Sequence, residues 1–225
     1  MPVSIPGPPT HNAASADMNQ GTQDDGLRPL CDALAEQVRG FLASEPETAM
    51  LKAVQRQTRI ALGVIDAALE RYTFEEISIS YNGGKDCLVL LILFLVSLSN
   101  RAAATGKVLP RRLQSVYIIS AHPFAEVDSF VESSTQTYQL DLTRYAMPMK
   151  EGFARYLDDK QNQGCEVKAI FVGTRRTDPH GALLTHFDQT DKGWPAFMRV
   201  HPVIDWHYAE IWAVSYNSFS FSYDG

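Results

Sequence analysis

The chain has 225 residues, 45% of them apolar and 20% charged, with 20 Lys and Arg against 26 Asp and Glu for a formal net charge of −6. This is ordinary globular usage at single-domain length, which excludes wholesale disorder and fibrous repeats. The acidic balance argues against a coat on duplex nucleic acid, while a local basic pocket for a small phosphate ligand stays compatible with it. Cys31, Cys87 and Cys165 are far apart, odd in number and lack CxxC spacing, so neither a zinc ribbon nor a disulfide framework is expected and a reducing compartment is. The first residues show no basic segment followed by an apolar core, and cytoplasm is the expected location. The longest apolar run, residues 87–96, is about half of what a bilayer requires; it predicts a buried helix and no membrane partner.

Residues 1–28 are rich in Pro, Gly, Asn, Gln, Ser and Asp and predict a disordered tail, because too little apolar surface is present to offset ordering entropy. Leu30, Leu34, Val38 and Leu42 recur every four residues and predict an amphipathic helix. Ser44 and Glu47 have capping-box spacing, with Pro46 in the first turn of a second helix running to about Arg71. Then the pattern changes to alternation. Strands are expected at 77–80, 116–120, 140–145 and 168–172. Between them come helices at 85–98, 125–138, where Val127, Phe130 and Val131 share a face, and 150–161. Such alternation predicts an α/β fold: an open, mainly parallel sheet with helices on both faces and the two N-terminal helices added. Residues 173–205 lack a clear period and suit a binding loop; residues 211–225 fit no element.

The sharpest motif is SYNGGKDC at 80–87, set between a strand and a helix. Glycines allow a tight bend and close approach to a ligand, and the start of the following helix offers N–H groups and a positive dipole end to an anion. Lys85 adds a mobile cation, and Asp86 an oxygen for a metal ion or a ligand hydroxyl. A Walker A loop would need glycine at position 79, which is Ile79, and a hydroxyl where Cys87 stands. Nor is the motif GxGxxG. Asn-Gly-Gly alone is compatible with a plain strand-to-helix turn.

A second constellation, GTRRTDPHG at 173–181, follows the fourth strand. Arginine forks suit a phosphate, with Asp178 orienting an arginine or accepting from a ligand ring. By itself this reads more readily as a solvated loop with a local ion pair; its place on the same sheet edge as the first loop reverses that in favour of a ligand. Trp194 and Arg199, within WPAFMR, offer a stacking surface and a cation, although composition alone favours an aromatic plug of the core. The six histidines show no metal-ligand spacing, and no nucleophile triad is assigned.

Taken together, SYNGGKDC at 80–87, VGTRRTDPHG at 172–181, TDKGWPAFMRVHP at 190–202 and DWHYAEIW at 205–212 resemble the eukaryotic FAD synthases, FMN adenylyltransferases with a PAPS-reductase-like, ATP-pyrophosphatase-type fold. The resemblance covers roughly residues 30–212 and implies a domain at 29–212. It implies transfer of AMP from ATP to FMN, giving FAD and pyrophosphate, with Mg²⁺ held with the nucleotide phosphates by Asp86. ATP would meet Ser80, Tyr81, Asn82, Gly83, Gly84 and Lys85, with Ile118 and Ser120 nearest the adenine. FMN would meet Arg175, Asp178, Trp194 and Arg199. Asn82, Lys85, Asp86 and Asp178 would carry the chemistry. The partners implied are the small nucleotides ATP and FMN, with no nucleic acid, bound by a monomer. After Trp212 the chain departs from the family pattern, so residues 213–225 are expected to form an atypical tail. The alternative reading is a catalytically impaired ATP-binding remnant. Two other reactions of this fold fit less well. Sulfonucleotide reduction wants a reactive cysteine near the C-terminus, and none follows Cys165; tRNA thiolation wants paired cysteines and a basic surface.

Overall fold

The computed structural model describes residues 26–119 and 125–214. Gly26 and Leu27, inside the expected tail, are among them, and Leu27 is fully buried in the core. The rest of the expected N-terminal tail and residues 215–225 of the expected C-terminal one lie outside the described residues.

Two helices come first, α1 (Arg28–Ala43) and α2 (Ala49–Arg71). The four-residue spacing buries Leu34 and Val38 of α1. Ser44 does not cap α2 as expected. It closes α1, its hydroxyl donating to the Phe41 carbonyl at 2.8 Å, and Thr48 caps α2 by accepting the Leu51 N–H at 3.1 Å. A Ser44 cap would require helical Glu45 directly before Pro46, a conformation the proline ring disfavours.

The chain then alternates: β1 (Ile77–Ser80), α3 (Lys85–Thr105), β2 (Leu113–Ile118), α4 (Ala125–Thr137), β3 (Leu140–Tyr145), α5 (Met149–Asn162) and β4 (Ala169–Val172). α3 runs seven residues past its expected end, since the Ala-rich segment after Asn100 prolongs it to Gly106, whose N–H donates to the Ala102 carbonyl. By length and composition α3 could cross a membrane, but 72% of its most apolar window is buried inside the fold. The segment expected to be irregular holds two three-residue strands, β5 (Phe187–Gln189) and β6 (Met198–Val200), and α6 (Tyr208–Ala213) follows.

The strand order is β3-β2-β1-β4-β6-β5. All neighbours are parallel except β5 with β6. Side chains alternate across the sheet. Ile77, Ile79, Ala169 and Phe171 face the core built with α1, α2 and α3. On the other face Val116, Ile170 and Phe197 pack with Phe153 and Tyr156 of α5. The sheet is therefore covered on both faces, as the alternating pattern predicts.

This order contains a reversal. From β1 the chain moves outward to β2 and β3, then returns to place β4 on the opposite side of β1. In open α/β sheets the crevice beyond the carboxyl ends of the strands at such a reversal is where ligands bind. Here that crevice lies between the β1 turn and the β4 loop.

Candidate functional site

A cleft of about 550 Å³ opens at this reversal, lined from the strand ends by Ser80, Ile118, Val172 and His201. Its size is within the usual range for a pocket holding a small organic ligand. Asn82, Gly84 and Asp86 enter from the β1 turn, and Asp178 from the β4 loop. Trp194, Arg199, Met149 and Phe153 line the cleft as well, and the rings of Phe153 and Phe197 pack 5.2 Å apart.

The β1 turn is shaped locally. The Asn82 side-chain oxygen accepts the Gly84 N–H at 2.9 Å. Gly83 has φ +74°, and a Cβ there would come within 2.7 Å of Val131 on α4. The apolar face expected on that helix thus clamps the turn. No side chain caps the start of α3, so its first N–H groups remain available to an anion at the positive end of the helix.

Arg175 ties the two loops together. Its Nη2 donates to Asp178 Oδ1 at 3.1 Å, its backbone N–H donates to Asp178 Oδ2 at 2.7 Å, and its Nε lies 3.3 Å from Asp86 Oδ1. The last pair is an ion pair without hydrogen-bond alignment, leaving both buried atoms with no hydrogen bond among the described residues. Burial pushes the Asp86 carboxyl above its usual range, against the pull of the Arg175 guanidinium. The neighbouring Arg176 is a strut. It binds Asp205 at 2.6 Å and the Leu184 carbonyl at 2.7 Å.

Other expected site residues fall differently. Lys85 lies over the rings of Trp212 and Tyr208, 4.6 and 5.5 Å from their centroids, and Arg175 lies 5.8 Å from the same Tyr208 centroid. The two cations therefore share one ring on a short helix that sequence periodicity did not reveal, and neither is among the residues lining the cleft. Arg199 donates to the Gln189 carbonyl at 2.9 Å. Ser120 is outside the described residues. Tyr81 corrects the sequence reading: its side chain is fully buried and its hydroxyl donates to Ser134 at 2.9 Å, so it does not reach the cleft. Tyr81→Phe should lower stability by about 1 kcal/mol, read by urea denaturation, and leave nucleotide affinity unchanged.

Cys87 packs beneath the turn, its thiol pushed up to about 11 by burial, which removes it as a nucleophile at neutral pH. His201 lies at the cleft floor, 1% exposed, and was not singled out from the sequence. A signal was present: the alternation of Phe197, Arg199 and His201 places all three on the α5 face of one strand.

Comparison with known proteins agrees with this geometry. The phosphoadenosine phosphosulfate reductase domain family matches residues 76–218. A probable FAD synthase of Schizosaccharomyces pombe is 34% identical over 177 residues, covering 79% of this chain and 65% of that protein. The crystal structure of Candida glabrata FMN adenylyltransferase with FMN and the ATP analogue AMPCPP superposes with a TM-score of 0.76 at 30% identity, over 83% of this chain and 64% of that one. Its complex with FAD and inorganic pyrophosphate gives a TM-score of 0.77 over the same shares. This chain therefore spans just under two thirds of the length of these relatives. With the family match spanning more than half of its length, the chain belongs to the phosphoadenosine phosphosulfate reductase domain family.

Proposed function

We propose that the cleft binds ATP and FMN together and transfers AMP to the flavin phosphate, yielding FAD and pyrophosphate. The observation that carries this reading is Arg175, which contacts Asp86 of the first loop and Asp178 of the second and so sets two phosphate-binding elements side by side. An FMN phosphate oxygen attacks the α-phosphorus in line; the new P–O bond forms as the bond to the β-phosphate bridging oxygen breaks, and pyrophosphate leaves. The protein's task is to align two anions that repel each other and to neutralise charge on the departing oxygens. The β1 turn, the α3 start and Lys85 serve the triphosphate. Arg175 and Asp178 order the flavin side, and Trp194 offers a surface for its ring. What supports this reading over an impaired ATP-binding remnant is that both loops line one cleft, together with the similarity to enzymes solved with FMN and FAD.

A magnesium ion fits this arrangement. Asp86 Oδ1 is a buried carboxylate oxygen with no hydrogen bond among the described residues, and these hold no cluster of three or more ligating side chains. That suits an ion held by one carboxylate and substrate phosphates rather than by a protein cage. Asp86 would hold it, and the ion when bound would neutralise phosphate charge.

Incubation with ATP, FMN and Mg²⁺ should yield FAD and pyrophosphate in equal amounts. Asp178→Ala should raise the KM for FMN about tenfold or more, the worth of a charge-assisted hydrogen bond, and that for ATP by less than about threefold. Absence of FAD from the wild-type chain, or equal loss of both substrates in the variant, would overturn the assignment.

A further inference from the structure

We propose that His201 is a substrate-recognition residue of this cleft, an uncharged hydrogen-bonding group for the neutral polar part of the flavin nucleotide. That part is a ribityl hydroxyl or the imide edge of the ring, and the role rests on the reading of the cleft as an FMN site.

His201 directly follows β6, and its backbone is held from both sides. Its N–H donates to the His186 carbonyl at 3.0 Å, and its carbonyl lies 3.0 Å from His186 Nδ1. The side chain is left over. It is 1% exposed, it lines the cleft, and neither ring nitrogen makes an aligned hydrogen bond among the described residues, the Val172 backbone lying close enough only for a poorly aligned contact. Buried polar groups are almost always paired, so a ring orphaned at both nitrogens on the floor of a ligand cleft points to a ligand that completes it.

The chemistry of that ligand follows from the charge state. Burial, reinforced by nearby Arg199, holds the imidazole down to about 4, against the opposing influence of Asp188 and the Val172 carbonyl. Near neutral pH the ring has one donor and one acceptor. A phosphate, which takes donors only, does not match this pair, whereas a hydroxyl or an imide does. Position selects the flavin. β6 lies beyond β4, with Arg199 and Trp194, whereas Ile118 ends β2 on the other side of β1.

The test is flavin fluorescence titration of the full chain, which needs no turnover. His201→Phe removes both nitrogens and should weaken FMN binding about tenfold or more, with ATP affinity within about twofold of wild type. Because the ring is unpaired without ligand, the thermal midpoint of the free variant should stay level or rise. His201→Leu repeats the measurement in a side chain closer in volume to imidazole. His201→Asn, always neutral with a donor and an acceptor, should restore most of the affinity. Riboflavin and lumiflavin divide the two sources: loss for riboflavin alone assigns the ribityl hydroxyls, and loss for both assigns the ring. Wild-type flavin affinity in the Phe and Leu variants, or parallel loss of flavin and ATP binding, would overturn the proposal. A wild-type chain that binds ATP but no flavin would overturn the functional reading itself, and this role with it.

Discussion

Lys85→Gln is expected to cut FAD formation by about 10²–10³-fold, the usual cost of removing one preorganised charge from a transition state, while leaving the fold as stable as before. The two halves of this expectation have separate causes. Lys85 is the first residue of α3, where a positive charge opposes the helix dipole and contributes nothing to stability. Its contacts with the Trp212 and Tyr208 rings contribute about 0.5–1 kcal/mol at this half-buried position, and glutamine relieves the dipole conflict as it forfeits them. Stability should therefore change by less than about 0.5 kcal/mol. Activity should not be spared, because the proposed reaction develops its phosphate charge at this turn. The loss should fall mainly on kcat, as expected for an interaction stronger in the transition state than with bound ATP. A variant turning over within about threefold of wild type would remove Lys85 from the chemistry.

How much of this site the sequence exposes depends on segment length and on alternation. β1 and β3 have the bounds that their patterns predict, Ile77–Ser80 and Leu140–Tyr145, because short apolar alternation ended by turn residues is a local signal. β5 and β6 have three residues each, too few to show a period, and the pairing of β6 with β4 and of β5 with β6 is a tertiary event. α6 is capped by His207, which precedes it and whose N–H donates to the Glu210 side chain at 2.7 Å; a histidine is not among the residues that ordinarily mark a helix start. Hence the aromatic pair beneath Lys85 was hidden. Tyr81 differs for another reason: it shares parity with Ile77 and Ile79, whose face is the core, and this alternation, rather than its place in the motif, decides where its side chain goes. The cleft itself was legible only as a shared sheet edge. That Arg175 faces Asp86 while Arg176 turns to Asp205 depends on loop geometry that no local pattern encodes.

The second large effect is expected at Gly173, where fold and chemistry depend on one hydrogen atom. A Cβ at this position would sit 2.8 Å from Cys87 Sγ, 2.9 Å from the Cys87 backbone nitrogen and 3.1 Å from the Asp86 carbonyl carbon. The thiol could turn aside; the helix backbone could not. Gly173→Ala must therefore push the β4 loop away from the start of α3, at a cost of about 1–3 kcal/mol for overpacking. The same displacement separates Arg175 from Asp86, now 3.3 Å apart. Because misplacement by about 1 Å can cost 10²-fold in rate, turnover should fall by about that factor even at temperatures where the variant is fully folded. Adding Cys87→Ala separates the two clashes. It removes the sulfur contact and leaves the backbone one, so the double variant should recover little activity. Full recovery would mean that the thiol alone sets the spacing between the two loops, and that the main-chain contact between β4 and α3 does not hold the site together.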